Sequence, residues 1–215
     1  MEYSRIRDFI ISFSKDDEGE LGEIYEKAVS DGVPVIRPEM RDYMKVMLRQ
    51  IKPSRVLEVG TAVGYSSLMM ATTLDSMDVD FHIDTCELDE ERIQTASENI
   101  IKMNYENRIT IHKGDAAESM KALDGEYDLI FIDAAKAQYM NYLLEAIRLS
   151  RSGTVIVTDN ILADGDVLES HFLVEKRDRT IHDRMREYVY EIKNNERLET
   201  AILSVGDGVA VSVVK

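Results

Sequence analysis

The chain has 215 residues, of which 44% are hydrophobic and 31% are charged, and its formal net charge is −15. The length and composition favour one globular domain with a sizeable core, and the charge of the whole surface disfavours polyanionic partners. A single cysteine, Cys86, excludes an internal disulfide framework and fits a reducing cytoplasm. The apolar runs are short, such as Leu129–Ile132, and the N-terminus lacks the layout of a secretory signal, so we expect neither a membrane span nor secretion.

Residues 1–50 are predicted to form a helical extension. Apolar residues recur at helical spacing over Glu2–Phe13 and Glu20–Ala28. Val33–Arg37 is predicted to be extended, because a residue before proline avoids the helical region. A further helix is predicted over Pro38–Gln50, since proline suits the first turn of a helix.

Residues 51–215 are predicted to form the core, in which strand patterns alternate with helical patterns. The predicted strands are Arg55–Val59, His82–Glu87, Arg108–His112, Tyr127–Ile132 and Thr154–Thr158. The predicted helices are Ser66–Leu74, Glu90–Met103, Ala116–Leu123, Ala137–Leu149 and Arg177–Asn194. This alternation indicates a parallel sheet covered on both faces. The segments Thr200–Val205 and Val209–Val214 flank a glycine turn and are predicted to form a β-hairpin.

A glycine turn between the first predicted strand and its helix marks a candidate ligand site. In Val59–Ser66 the glycines Gly60 and Gly64 follow a Gly-x-x-x-Gly spacing. A dinucleotide fingerprint needs a further glycine, where this chain has Ala62, to approach a pyrophosphate. A nucleoside without a pyrophosphate, such as S-adenosylmethionine, therefore fits better than NAD. The alternative is a purely structural strand-to-helix turn.

Carboxylates lie at the ends of the next two predicted strands. Glu87 ends the second strand, where a carboxylate can accept both ribose hydroxyls of a nucleoside. It could equally be an acid that favours the dipole of the following helix. Asp115 follows the third strand, which places it near a bound adenine, although it could simply be an N-cap.

Two apolar strands end in oxygen ligands. Asp133 follows one strand, and Asp159 and Asn160 follow the other. If these strands are neighbours in the sheet, they lie about 5 Å apart, and the three side chains can converge on one ion. Oxygen ligands without a thiolate favour Mg²⁺, Mn²⁺ or Ca²⁺ over Zn²⁺. The alternative is that each acid caps the segment that follows it.

Lys136 lies three residues after Asp133, where it could remove a proton from a substrate hydroxyl. The alternative is an exposed lysine early in a helix. The metal ligands together with Lys136 predict a substrate whose two adjacent oxygens chelate the metal. One of these oxygens then attacks a sulfonium methyl in line.

The remaining metal-ligand residue types form no recognisable motif in the sequence. Cys86 lies inside a predicted strand and is interpreted as a packing residue. The histidines show no metal-ligand spacing, and they are His82, His112, His171 and His182.

Three motifs resemble the cation-dependent class I O-methyltransferases, the family of the catechol and caffeoyl-coenzyme A enzymes. They are Leu57–Ser66, Phe131–Lys136 and Thr158–Asn160, and the likeness runs from about Val33 to the C-terminus. The resemblance implies a Rossmann-like α/β fold: a mostly parallel seven-stranded sheet, a C-terminal antiparallel hairpin and extra N-terminal helices. It also implies a homodimer.

The resemblance also implies roles for individual residues. Catalysis falls to Lys136 and Asp133, and a divalent metal is held by Asp133, Asp159 and Asn160. The residues implied around S-adenosylmethionine are Val35, Glu58, Gly60, Tyr65, Ser66, Glu87, Asp115, Ala116 and Asp133.

Within this family, the motifs are similar to those of bacterial enzymes that methylate 5-hydroxyuridine at the tRNA wobble position. The adjacent oxygens of that base could chelate a metal as a catechol does. The segment Lys176–Arg186 holds five basic and two acidic residues, so it is a candidate contact for the phosphates of an anticodon loop. Two alternatives stay open: the segment is a solvated helix face with ion pairs, and the substrate is a small catechol-like or phenolic compound.

Overall fold

Seven strands supply the framework of the chain. The computed structural model describes the backbone of residues 2–215 and the side chains of residues 5–163 and 165–215. The strands are β1 (Arg55–Val59), β2 (His82–Glu87), β3 (Ile109–Lys113), β4 (Tyr127–Ile132), β5 (Ser150–Thr158), β6 (Leu198–Leu203) and β7 (Val209–Val214). They form one sheet in the order β3-β2-β1-β4-β5-β7-β6.

Eight helices accompany the strands in the described residues 2–215. They are α1 (Glu2–Ile11), α2 (Gly19–Ser30), α3 (Pro38–Ile51), α4 (Tyr65–Asp75), α5 (Glu90–Lys102), α6 (Ala116–Ala122), α7 (Tyr139–Arg148) and α8 (Arg179–Asn194). Short 3₁₀ turns cover Lys136–Gln138 and Ala163–Leu168.

The strands from β3 through β5 pair in parallel, and β7 runs antiparallel to both of its neighbours. β4 pairs with both β1 and β5 in parallel, whereas β7 pairs antiparallel with β5 and with β6. The predicted mostly parallel seven-stranded sheet with a C-terminal antiparallel hairpin is therefore confirmed. Because β4 and β5 are neighbours, their carboxyl ends lie side by side, as the predicted metal site requires.

Successive residues of a strand face opposite sides of this sheet. Val56 packs into a hydrophobic cluster with residues of α2, α3 and α4. Leu57 packs into a second cluster with residues of α6, α7 and α8. Buried residues of the N-terminal segment, including Leu21 and Met44, belong to the first cluster. The N-terminal helices α2 and α3 therefore pack directly on one face of the sheet.

The predicted first and last residues agree with the structure best for the buried strands and worst for exposed segments. β1, β2, β4 and β7 begin and end where predicted. β5 begins at Ser150 rather than Thr154, because a register shift in the β4–β5 pairing accommodates the exposed residues Arg151–Gly153. The predicted helix Ala137–Leu149 is a 3₁₀ turn followed by α7. Among the described residues no helix is long and apolar enough to cross a bilayer.

Candidate active site

A cavity of about 700 Å³ opens at the carboxyl ends of β1, β2 and β4. This edge of a parallel sheet is where ligands bind in doubly wound folds. The predicted cofactor residues that line the cavity are Val35, Gly60, Tyr65, Ser66, Glu87, Asp115, Ala116 and Asp133. The sequence motifs thus converge on one concave site, and Glu58, described below, lies outside it.

Gly60 allows β1 to end directly against the end of β4. Its φ is +108°, a backbone conformation that residues with a side chain rarely adopt. A Cβ atom at Gly60 would lie 2.0 Å from the backbone oxygen of Asp133. The glycine loop and the acid after β4 therefore share a backbone contact that only glycine permits.

Replacement of Gly60 by alanine is expected to weaken S-adenosylhomocysteine binding by about tenfold or more, about 1.4 kcal/mol, and to lower the melting temperature. The added Cβ must displace either the loop or the backbone of Asp133. Calorimetry and thermal unfolding would measure both effects. Gly153→Ala is the matched control, because Gly153 also has a positive φ but has open space around its Cβ position. Equal affinities in the two variants would contradict this account of the loop.

Backbone amides fix the Glu87 carboxylate at the cavity wall. Oε2 accepts a hydrogen bond from the Ala62 N–H at 2.8 Å, and Oε1 accepts from the N–H groups of Leu88 at 2.9 Å and Asp89 at 3.0 Å. These bonds leave lone pairs of the carboxylate available toward the cavity. Glu87 is thus a rigid acceptor for vicinal hydroxyls, which supports its predicted contact with the ribose.

Asp115 caps α6, as one of the two sequence-based interpretations predicted, and at the same time lines the cavity. Its Oδ1 accepts from the N–H groups of Ala117 at 2.9 Å and Glu118 at 3.2 Å. Its Oδ2 accepts from Nε2 of Gln138 at 2.9 Å. The hydrogen bond from Gln138, followed by those of the backbone amides, lowers the pKa of Asp115. Gln138 also lines the cavity, and sequence reasoning missed it.

Glu58 lies behind the glycine loop rather than in the cavity. Its side chain is fully buried, and its carboxylate accepts hydrogen bonds from the hydroxyls of Ser67 and Thr85, the latter at 2.6 Å. Burial raises the pKa of Glu58 to about 7, against the opposing effect of hydroxyl hydrogen bonds. Glu58 therefore supports the loop from inside the core, and the predicted direct contact with the cofactor is not supported by its position.

The buried Glu58 gives the free energy of unfolding a pH dependence. Its pKa is about 7 in the folded chain against an ordinary value of 4.5, so between these values the folded state holds a proton that the unfolded state has lost. Stability is therefore expected to fall as the pH rises from about 4.5 to about 7, by about 3 kcal/mol. Denaturant unfolding in EDTA would measure the total fall, to which Asp133 and Asp159 also contribute. Glu58→Gln should reduce it by about 3 kcal/mol, and Glu126→Gln, at an exposed acid, should leave it unchanged. An unchanged profile in Glu58→Gln would refute the assignment.

The acids after β4 and β5 meet as predicted. Ile132 and Thr158 are register partners, so Asp133 and Asp159 follow paired positions. Asn160 joins them, because its Nδ2 donates to Asp133 Oδ1 at 3.1 Å and its backbone N–H donates to Asp159 Oδ1 at 2.7 Å. The three predicted metal ligands therefore form one cluster at the edge of the cavity.

The electrostatics of this cluster fit a cation. Burial raises the pKa of Asp133, and burial followed by the charge of Asp133 raises the pKa of Asp159 to about 7. Two buried carboxylates that repel each other are stabilised by a positive ion between them. The Asn160 amide can present its oxygen after a half-turn, and such carboxylate and amide oxygens are the ligands that Mg²⁺, Mn²⁺ and Ca²⁺ prefer. The residues thus fit a hard divalent cation.

The turn between β6 and β7 supplies a charged partner for Lys136. Nζ of Lys136 lies 3.6 Å from Oδ2 of Asp207, whose side chain is only 8% exposed. The backbone of this turn is bound to the loop after β5, because the N–H groups of Ile161 and Leu162 donate to Gly208 and Asp207, each at 3.0 Å. Asp207 is therefore held beside Lys136 by long-range contacts. Asp207 belongs to the predicted glycine turn of the hairpin, and the sequence did not predict a role for it in the site.

Comparisons with known proteins agree with this geometry. A sequence model of the O-methyltransferase family matches residues 12–215. The catechol O-methyltransferase of Niastella koreensis is 31% identical over 195 residues, which cover 86% of this chain and 85% of that protein.

Solved structures extend the comparison to the whole fold. The crystal structure of a Staphylococcus aureus protein has a TM-score of 0.88 at 29% identity, with 97% of this chain and 99% of that chain covered. A Podospora anserina methyltransferase, solved with S-adenosylhomocysteine, has a TM-score of 0.87 at 25% identity, with 99% and 94% covered. The chain therefore belongs to the O-methyltransferase family and is an S-adenosylmethionine-dependent O-methyltransferase of the caffeoyl-coenzyme A and catechol type.

Proposed function

We propose that this enzyme methylates one of two adjacent oxygens of a small catechol-like or phenolic substrate with the help of a divalent metal ion. Asp133 carries the proposal, because it lines the cofactor cavity and also belongs to the cluster with Asp159 and Asn160. A substrate held at that cluster would lie next to the methyl donor. Mg²⁺ is the metal we propose, and Mn²⁺ or Ca²⁺ would suit the same oxygen donors.

Each group of residues at the site has a separate role in this proposal. Asp133, Asp159 and Asn160 hold the cation, which when bound would supply positive charge that favours the ionised form of an adjacent hydroxyl. The Nζ lone pair of Lys136 accepts the hydroxyl proton, and Asp207 at 3.6 Å stabilises the ammonium that forms. Glu87 and Asp115 fix the nucleoside end of the methyl donor. Positioning of the two reactants accounts for much of the rate.

A specific observation supports tRNA carrying 5-hydroxyuridine as a second candidate substrate. Arg179 and Arg184 donate to the backbone oxygens of Val174 at 3.2 Å and Ala137 at 2.9 Å. A carbonyl does not neutralise a guanidinium, so positive charge remains beside the segment that carries Lys136, where it could meet phosphates. Arg177, however, pairs with Glu175 and Asp178, each at 3.2 Å, as expected for a solvated face with ion pairs. The relatives named for catechols favour the small substrate.

The choice of substrate is tested by methyl transfer from labelled S-adenosylmethionine. The acceptors are 3,4-dihydroxybenzoate, its monohydroxy counterpart and tRNA carrying 5-hydroxyuridine, each with Mg²⁺. Methylation of the dihydroxy compound but not the monohydroxy compound is the result expected from a chelated pair of oxygens. Methylation of the tRNA alone would move the substrate to nucleic acid, and equal rates on the two benzoates would contradict chelation.

The homodimer implied by the family resemblance is a further part of the proposal. Apolar side chains along one face of α1 and just beyond it are between 51% and 71% exposed, and they are Ile6, Phe9, Ile10 and Phe13. Such a stripe is typical of a protein contact. Light scattering should give twice the monomer mass, and a monomer at micromolar concentration would oppose this expectation.

A further inference from the structure

A second cluster of metal-ligand side chains lies outside the active site, at the start of α8. His182 and Asp183 belong to the first turns of α8, and His171 belongs to the loop that follows the 3₁₀ turn Ala163–Leu168. The ligand atoms of the three side chains all lie within 4.8 Å of one another. The two histidines are eleven positions apart, which is why their sequence spacing showed no metal motif.

One carboxylate oxygen contacts both imidazole rings. Oδ1 of Asp183 lies 2.8 Å from Nδ1 of His171 and 2.9 Å from Nδ1 of His182. The rings meet edge to face with their centroids 5.8 Å apart. The Asp183 carboxylate therefore offers an oxygen ligand at the point where the two rings meet.

The hydrogen bond on the far side of His182 determines what can lie between the rings. Nε2 of His182 is 3.1 Å from the backbone oxygen of Glu169. A carbonyl oxygen only accepts, so Nε2 carries the hydrogen. In the neutral ring Nδ1 is then a lone pair that faces the Asp183 carboxylate, an arrangement that requires either a second proton on the ring or a cation between the two atoms. The His182 side chain is 2% exposed, so its surroundings hold the ring in this orientation.

We propose that His171, His182 and Asp183 form a binding site for a transition-metal ion, with Zn²⁺ as the best fit. Two imidazole nitrogens and a carboxylate favour Zn²⁺ over Mg²⁺. Ligand bonds of about 2.0–2.2 Å place ligand atoms of one ion about 3–4 Å apart, which small movements of these side chains achieve. The hydrogen bond from Nε2 to Glu169 is the type of outer partner that orients a metal-ligating histidine.

The exposure of the site leaves room for a further ligand. The side chains of His171 and Asp183 are 41% and 56% exposed, so water or an external donor completes the tetrahedral coordination that Zn²⁺ prefers. The ion would connect the loop after the 3₁₀ turn to α8. In the same helix Arg184 donates to the backbone oxygen of Ala137, next to Lys136. A bound ion would therefore stabilise the contact between this loop and α8, beside the segment that carries Lys136. It would not take part in the chemistry.

Zn²⁺ titration by calorimetry tests this site, in excess Mg²⁺ to occupy the oxygen cluster and with protein that carries no affinity tag. Wild type should bind one Zn²⁺ ion per chain. His171→Ala and Asp183→Asn should each weaken binding by on the order of 100-fold. Both side chains are substantially exposed, so neither variant is expected to disturb the fold. His82→Ala, at a histidine 42% exposed on another face, is the matched control and should bind as wild type does.

Hydrogen exchange gives an independent readout. Zn²⁺ should slow amide exchange in residues 163–178 of wild type and His82→Ala, but not of His171→Ala. Absence of Zn²⁺ binding by wild type, or binding by His171→Ala and Asp183→Asn with wild-type affinity, would overturn the proposal and leave the cluster as a hydrogen-bonded His–Asp–His network.

Discussion

Replacement of Lys136 by methionine is expected to lower kcat for catechol methylation by about 10²- to 10⁴-fold, the range for loss of a general base. Methionine keeps the length and the apolar stem but removes the nitrogen that lies 3.6 Å from Asp207. Affinity for S-adenosylhomocysteine should stay near that of wild type, because Lys136 is not among the residues that line the cofactor cavity. Steady-state kinetics and calorimetry on the same preparation separate the two quantities.

The control for this variant is Lys102→Met, at an exposed lysine on α5 that pairs with Glu23. It removes the same charge far from the site and should keep wild-type kcat. A Lys136→Met enzyme that retains more than about a tenth of wild-type kcat would exclude Lys136 as the base. Loss of S-adenosylhomocysteine binding together with kcat would instead assign the lysine to folding of the site.

Replacement of Asp159 by asparagine is expected to lower kcat by about 10³-fold while raising the stability of the metal-free protein. The loss of activity follows from removal of a ligand whose cation would supply several kcal/mol of charge stabilisation. The gain in stability follows because burial and the charge of Asp133 raise the pKa of Asp159 to about 7. Replacement of one of the two buried acids by a neutral amide removes the repulsion between them at neutral pH. Kinetics with Mg²⁺ and thermal unfolding in EDTA measure the two effects.

Asp128→Asn provides the opposite control. Asp128 lies in β4 and accepts hydrogen bonds from the backbone N–H groups of Ser54 at 2.8 Å and Arg55 at 3.0 Å. Hydrogen bonds from Arg151, Arg55 and Ser54 outweigh burial and lower the pKa of Asp128 to about 2. This variant should lose stability but keep Mg²⁺-dependent turnover. If Asp159→Asn instead loses stability and keeps turnover, the cluster has a structural role and the metal assignment is wrong.

The sequence was sufficient for the parts of the site that lie at the ends of parallel strands. Gly60 and Asp133 each follow a predicted strand, Glu87 is the last residue of one, and a parallel sheet brings those ends to one edge. The position of Glu58 was harder, because its contact with Ser67 and Thr85 depends on which face of β1 is turned toward α4. Motifs alone do not distinguish a residue in the cavity from one behind it.

Residues brought to the site by long-range pairing could not be predicted. Asp207 reaches Lys136 only because β7 inserts between β5 and β6. Gln138 lines the cavity from a 3₁₀ turn, where the sequence predicted a regular helix. The grouping of His171 with His182 depends on an irregular loop folding back on α8. None of these contacts leaves a periodic signal in the sequence.

Methyl transfer is expected to require a divalent cation held by the cluster after β4 and β5. The most direct measurement is the rate of methyl transfer to catechol by wild-type enzyme stripped with EDTA and then titrated with Mg²⁺. The expected rate is near background after EDTA and returns with saturable dependence on Mg²⁺, whereas Asp159→Asn should show no such return. A full rate in EDTA, with S-adenosylhomocysteine binding intact, would contradict it.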